Sequence, residues 1–455
     1  MKRYWIKKSG LAIIVGMFLL GGLAIILYVV RHEFAVPAIL PASGSEIGYD
    51  TTYSLDFPFA MEKGSVESRI SATPKTEMDF QWESNRLVIK PGYAEALGDH
   101  FILRLAAGSV RLDGGKIDQD LVWTYPVRHA VIAYLGNATT APEIWKADPQ
   151  TGINEPVSQT GGRITGFIPL PDRKGFLYSL KNDQGGADIR LVNYEGSGDD
   201  ILVDCGNEAC TDPAISQDGL LFAFSRNRDP EDGIKSRNRY IYTSVLDGGQ
   251  IDPQPVMVEK AVSGTMPSFS PDGSLLSFYD KNSKGIRVVN TSGGNDFLLG
   301  TPRQQSGVWS SDGSKIAFLD ETPGHDGITS VLYVVDIQTN TIQEPLTGFL
   351  DEREMGEPDW SPDGQKLVAG IRQTDGPAAS QLWLIDMNGR TSRQITEDYS
   401  RMNAAPKWRA DGRAIVYQQA ELGRSNVKPV IILWDMADDS HTIIAEDAAL
   451  PVWMP

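Results

Sequence analysis

Three features of the sequence predict an all-β protein: a β-sandwich and a seven-bladed β-propeller behind one N-terminal transmembrane helix. A turn motif recurs six times, at intervals of 46, 54, 40, 51 and 48 residues. Ahead of it, residues 37–125 alternate short apolar runs with turn residues. Near the start of the chain, 20 consecutive residues carry no charge. Composition agrees: hydrophobic residues make up 41% and charged residues 22%, with 45 Gly and 27 Pro. That balance suits a turn-rich globular chain and excludes a collagen, a coiled coil, a multi-span transporter and a fully disordered polymer.

The uncharged stretch runs from Leu11 to Val30. As a helix it would measure roughly 30 Å, the thickness of a bilayer's hydrocarbon core. Lys2, Arg3, Lys7 and Lys8 precede it. Basic residues stay on the cytoplasmic side, so the expectation is a single-pass cell-membrane protein with the bulk of the chain extracytoplasmic. A cleaved signal peptide would have a shorter apolar stretch and a small-x-small cleavage site. This stretch instead runs into Arg31-His32-Glu33, and residues 1–33 are read as cytoplasmic tail and signal-anchor. The whole chain carries a formal charge of −17, and residues 34–455 have 37 basic and 58 acidic side chains, a net of −21. Such a surface repels phosphate backbones and argues against nucleic-acid binding.

Cys205 and Cys210 are the only cysteines, in CGNEAC. A zinc site would need further ligands close by, and the five histidines are scattered. An exported location favours a disulfide between the two; free thiols in a loop are the alternative.

Residues 37–125 read as several short strands, among them Thr51–Phe57, Arg86–Ile89, Phe101–Leu105 and Leu121–Thr124. Short strands in a segment of this size suggest a β-sandwich. The runs PASGSEIGYDTTYSLDFPFAM, WESNRLVIKP and LGDHFILRLAAGSVRLDGG resemble a bacterial Ig-like domain of the surface-layer type. That likeness implies a spacer or adhesive module without chemistry of its own.

From residue 127 to 455 the repeat dominates. Its lines are FIPLPDRKGFLYSL, PAISQDGLLFAFSR, PSFSPDGSLLSFYD, GVWSSDGSKIAFLD, PDWSPDGQKLVAGI and PKWRADGRAIVYQQ. Each reads as a strand, a tight turn and a returning strand. Proline presets φ, aspartate bonds to its own backbone, and glycine takes a positive φ. The spacing matches a four-stranded blade. These lines resemble the TolB-like β-propeller repeats, although the first copy, with Gly175 late, departs from the pattern. The resemblance implies a scaffold fold rather than one activity.

Six motifs give six blades. The C-terminal Leu450–Pro455 reads as the first strand of a further copy. Residues 131–136, 143–148 and 154–159 supply its other three strands, which makes a seventh blade from the two ends of the propeller.

No catalytic residue is identified. G-x-S-x-G, H-E-x-x-H, Walker and G-x-G-x-x-G motifs are missing from the sequence. The acidic runs Asp229-Glu231-Asp232 and Asp351-Glu352-Glu354-Glu357 do not have EF-hand spacing and read as solvated loops. No metal or cofactor is expected. The expected function is therefore non-enzymatic: a propeller that binds a protein or glycan partner of the cell envelope. The rival is a propeller lyase or hydrolase with its site in the central channel, for which the innermost strands offer little beyond Asp359, Lys407 and Arg409. Extra length falls in segments 226–239, 321–330, 373–380 and 420–428 between second and third strands, and in 205–212, 348–357 and 397–405 between blades. This face is the expected recognition surface. Arg226, Arg228, Arg237 and Arg239 in one loop of an acidic protein are the candidate contacts.

Overall fold

A computed structural model describes residues 36–48, 51–91, 100–227, 239–248, 251–257, 262–294, 296–324, 328–346, 353–373, 376–389, 391–423 and 427–454. The segment Leu11–Val30, read as a membrane span, lies outside these residues. Among the described residues no helix is long and apolar enough to cross a membrane. The expected single-pass anchoring, and the localisation drawn from it, therefore find no support in the fold. The one helix among the described residues is the five-residue Lys63–Glu67, whose single buried side chain, Val66, is too little to define an apolar face.

The chain divides into two compact units, one ending at His129 and the other starting at Ala130. In the first, Ala38–Leu40, Tyr53–Asp56, Arg86–Pro91 and Met78–Glu83 form one antiparallel sheet. Ile70–Thr73, His100–Leu105 and Leu121–Pro126 form a second. Alternation fixes what each strand buries: Phe101, Leu103 and Leu105 point inward on one sheet, Tyr53, Leu55, Leu87 and Ile89 on the other. The two faces share one core, with Tyr53 stacked on Phe101 at 5.5 Å. This is a β-sandwich.

The second unit consists of seven sheets with four strands along each path. Blade 1 is Ala448–Trp453, Ile132–Gly136, Glu143–Asp148 and Ile153–Pro156, so its first strand comes from the far end of the chain. Blades 2 to 7 come next in order, with first strands at Ile164–Pro169, Cys210–Ile215, Gly264–Phe269, Val308–Trp309, Asp359–Trp360 and Arg401–Trp408. In blade 6 a further piece, Arg353–Met355, also pairs with the second strand. No sheet closes on itself; side-chain packing joins them. Each of seven hydrophobic clusters spans two neighbouring blades, including one that joins Val416 and Ile431 of blade 7 to Ile132 and Tyr134 of blade 1. First strands touch first strands of adjacent blades, which places them nearest the ring axis.

The repeated turn owes its shape to three bonds. In blade 4, Ser270 Oγ donates to Asp272 Oδ1 (2.6 Å), which also accepts from the Ser274 N–H (3.1 Å). Ser270 Oγ in turn accepts the Leu275 N–H at 2.9 Å. Blades 3, 5 and 6 repeat the set around Ser216, Ser310 and Ser361. Gly273 sits at φ +70°, where a Cβ would be strained.

Candidate functional site

The arginine-bearing loop joins the second and third strands of blade 3. Arg226 is the penultimate residue of the second strand and Arg239 begins the third. Arg228 and Arg237 lie outside the described residues. Arg226 donates to Glu208 and lies 5.8 Å from the Tyr242 ring centre. Arg239 donates to Asn227 Oδ1 (2.9 Å) and Thr211 Oγ1 (3.4 Å), with Asp212 Oδ2 at 3.8 Å. Glu208 belongs to the short link closed by the Cys205–Cys210 disulfide, whose Cα atoms are 6.2 Å apart. Two of the four arginines are thus brought together with the disulfide link and held there. Their charges are met locally, so they offer a partner fixed guanidinium planes rather than a positive field. No group of three metal-ligating side chains occurs among the described residues.

Part of the long-loop reading needs correction. The segment 321–330 is largely hairpin: Glu321, Thr322 and Pro323 pair with Ser330, Thr329 and Ile328. In the same way Cys210–Ile215, Arg353–Met355 and Arg401–Trp408 are strands, which shortens the links between blades.

At the axis, counting four residues back from each turn aspartate gives one tier of residues. It holds Ile168, Ala214, Ser268, Val308, Asp359 and Lys407, and Val452 occupies the matching place in blade 1. Only Asp359 and Lys407 are charged, and they pair at 3.3 Å across blades 6 and 7. Asp359 also accepts the Trp408 N–H at 2.8 Å. Burial pushes the Asp359 carboxyl above its ordinary value, while Lys407 and the Trp408 amide oppose that rise. Asp359 and neighbouring Glu357 hold Lys407 in its charged form. The indoles of Trp309, Trp360 and Trp453 donate to the tier carbonyls of Ser268, Val308 and Lys407 in the preceding blade. Trp408 breaks this series: its indole nitrogen is buried with no partner among the described residues. Arg409 is turned onto Asp411 at 2.8 Å.

Two features escaped the sequence reading. Asp212, Met266, Ala405 and Leu450 occupy equivalent places two residues before the tier, all with φ between +48° and +55°. Each precedes a proline, and the ladder shifts register there. The recurring x-Pro was visible; the left-handed backbone was not, because a residue before proline is ordinarily extended.

The other feature is a groove of about 550 Å³ between blades 2 and 3, on the face of the S-P-D-G turns. Leu170, Leu191, Ile215, Leu220 and Leu246 line it, with Asp172, Asp200, Asp218 and Lys174 at its polar positions. A smaller groove of about 380 Å³ lies between blades 3 and 4, against Phe269. One column of the repeat distinguishes the blades at these two grooves from the tryptophan-bearing ones. Three residues before the turn aspartate, blades 5, 6 and 7 carry Trp309, Trp360 and Trp408, and Trp453 matches them in blade 1. Blade 4 has Phe269, blade 3 Ile215 and blade 2 Pro169. Of these two grooves the larger sits at Ile215, the smaller at Phe269.

A family model described as the TolB beta propeller domain matches residues 286–433. The propeller is TolB-like. No curated protein matches the sequence. Among solved structures, TolB from Acinetobacter baumannii is 13% identical, with 92% of this chain and 99% of that chain covered and a TM-score of 0.42. A puromycin-hydrolyzing peptidase from Mycobacterium tuberculosis is 13% identical over 91% of this chain and 57% of that one, TM-score 0.51. Prolyl endopeptidase is 10% identical over 70% and 50%, TM-score 0.51. At these identities the likeness is one of fold, and a fold alone assigns no activity.

Proposed function

We propose that this chain is a non-enzymatic binding protein whose propeller holds a protein or glycan partner on its loop face. The observation that carries the reading is the arginine pair at the blade 2/3 junction. Arg226 and Arg239 are fixed by Glu208, Asn227, Thr211 and Asp212 beside a disulfide-closed link, yet their side chains keep 27% and 37% exposure. Guanidinium groups already ordered in the free protein lose little freedom on binding. Arginine is also over-represented among residues that dominate interfaces. The N-terminal sandwich, Ig-like by its motifs, serves as a spacer or adhesive module. Channel catalysis is the weaker reading. Its charged tier residues neutralise each other, and neither is left free to exchange a proton.

The test is retention of a partner from source-cell extract by the immobilised full chain, against the Arg226→Ala/Arg239→Ala double variant. Loss of about tenfold in retained partner, or 1.4 kcal/mol, fits the reading. Equal retention by both proteins overturns it.

A further inference from the structure

The groove between blades 2 and 3 lies on the face opposite Arg226 and Arg239, so it cannot belong to the same contact surface. We propose that it is a second binding site, which takes a peptide segment presenting a bulky apolar side chain next to a lysine or arginine. The floor dictates the first half of that description. Leu170, Leu191, Ile215 and Leu246 belong to the hydrophobic interface between the two blades, and the groove is the open end of that interface. Ile215 stands where four other blades place tryptophan. The space an indole fills elsewhere in the ring is left for a side chain from outside. Leu220 at the rim is 52% exposed, an apolar edge that water does not favour.

The rim dictates the second half. It carries three carboxylates, Asp172, Asp200 and Asp218, against one cation. That cation, Lys174, is already engaged by Asp172 at 2.8 Å. Asp218 accepts from Ser216 Oγ and the Leu220 N–H, bonds that keep it ionised. The groove mouth is therefore negative on a chain of formal charge −17, and a basic residue beside the inserted side chain complements it. An acidic peptide would meet like charge at Asp172, Asp200 and Asp218.

The experiment uses the full chain and two fluorescein-labelled pentapeptides of equal apolar content, Lys-Leu-Trp-Leu-Lys and Glu-Leu-Trp-Leu-Glu, titrated by fluorescence anisotropy. The basic peptide is expected to bind at least tenfold tighter than the acidic one, and more weakly at high salt as charges are screened. Ile215→Trp restores the repeat's own residue and plugs the groove. It should weaken the basic peptide at least tenfold while the chain still melts cooperatively. Should Ile215→Trp fold poorly, Asp200→Lys, an exposed rim change, is expected to weaken the basic peptide and strengthen the acidic one. The proposal is overturned if neither peptide binds, if both bind alike, or if binding survives both substitutions. The Arg226→Ala/Arg239→Ala variant should bind the basic peptide as the parent does, so failure here and failure of the loop-face reading are read separately.

Discussion

Deleting residues 448–455 should cost the propeller its cooperative fold. The strand Ala448–Trp453 is the first strand of blade 1, and it pairs with Ile132–Gly136 at the other end of the unit. Four hydrogen bonds beyond the ladder would go with it: Ala448 N–H to Pro429 O (2.9 Å), Leu450 N–H to Gln418 Oε1 (3.2 Å), Met454 N–H to Val131 O (2.8 Å) and Trp453 Nε1–H to Lys407 O (3.0 Å). At about 1 kcal/mol net each, these contribute about 4 kcal/mol. Met454 is 5% exposed, and Val452 and Trp453 are half-buried. Burial of these three side chains contributes about 4–6 kcal/mol, given 1.5–3 for a fully buried one. The sum is comparable to the 5–15 kcal/mol that separates most folded domains from their unfolded state. The deletion also bares the edge of Ile132–Gly136, a strand buried along its whole length, and an open apolar edge invites aggregation. Urea unfolding followed by tryptophan fluorescence, with sedimentation to detect aggregates, is the assay. A truncated chain with the parent's midpoint and slope would refute the idea that the ring depends on this strand.

Three further outcomes are expected. Replacing Cys205 and Cys210 by serine frees a very short loop and should lower stability by roughly 2 kcal/mol, read from urea midpoints in the presence and absence of reductant. Bonds from Ser216 and Ser270 hold Asp218 and Asp272 below the usual carboxylate pKa, so the stability they supply is complete above pH 3.8 and is lost as pH falls through their lowered values; the Ser216→Ala/Ser270→Ala variant should show a flatter acid limb in thermal melts. Burial raises the Asp359 carboxyl, so its ionisation costs stability as pH climbs past 3.8; Lys407→Met removes the opposing charge and should cost about 1–3 kcal/mol at pH 7 and less at pH 4, while Asp359→Leu/Lys407→Met recovers most of it.

Legibility followed how local each interaction is. The S-P-D-G turns could be read because Ser, Asp and Gly satisfy one another within five residues, and so the blade positions followed. The closing strand was visible in Leu-Pro-Val-Trp-Met because its partner has the same apolar pattern as every other second strand. Its bounds sit two residues earlier than the motif suggested, at Ala448–Trp453. The hairpin at 321–330 was missed because backbone pairing continues past the last core residue. Thr322 and Thr329 extend the ladder without the alternation that marks a half-buried strand. The bulges at Asp212, Met266, Ala405 and Leu450 needed knowledge of φ, which depends on the neighbouring strand as well as on the following proline.

The candidate sites were half legible for a related reason. Four arginines in one loop are a local fact, but their partners are not: Glu208 is 18 residues before Arg226, and Thr211 is 28 before Arg239. The groove is a difference between blades, and it appears only when Ile215 is set against the tryptophans of the same column. What keeps the junction together without that indole runs from Phe222, the cross-strand partner of Ile215, toward the loop side. Phe222, Phe224 and Tyr242 stack in series at 5.9 and 5.7 Å, and the Cys205–Cys210 bridge is buried in the same cluster. With cohesion supplied by that stack and the bridge, the groove mouth needs no filling for the junction to stay folded. A restored tryptophan at position 215 should therefore be tolerated, and the space it fills is available for recognition.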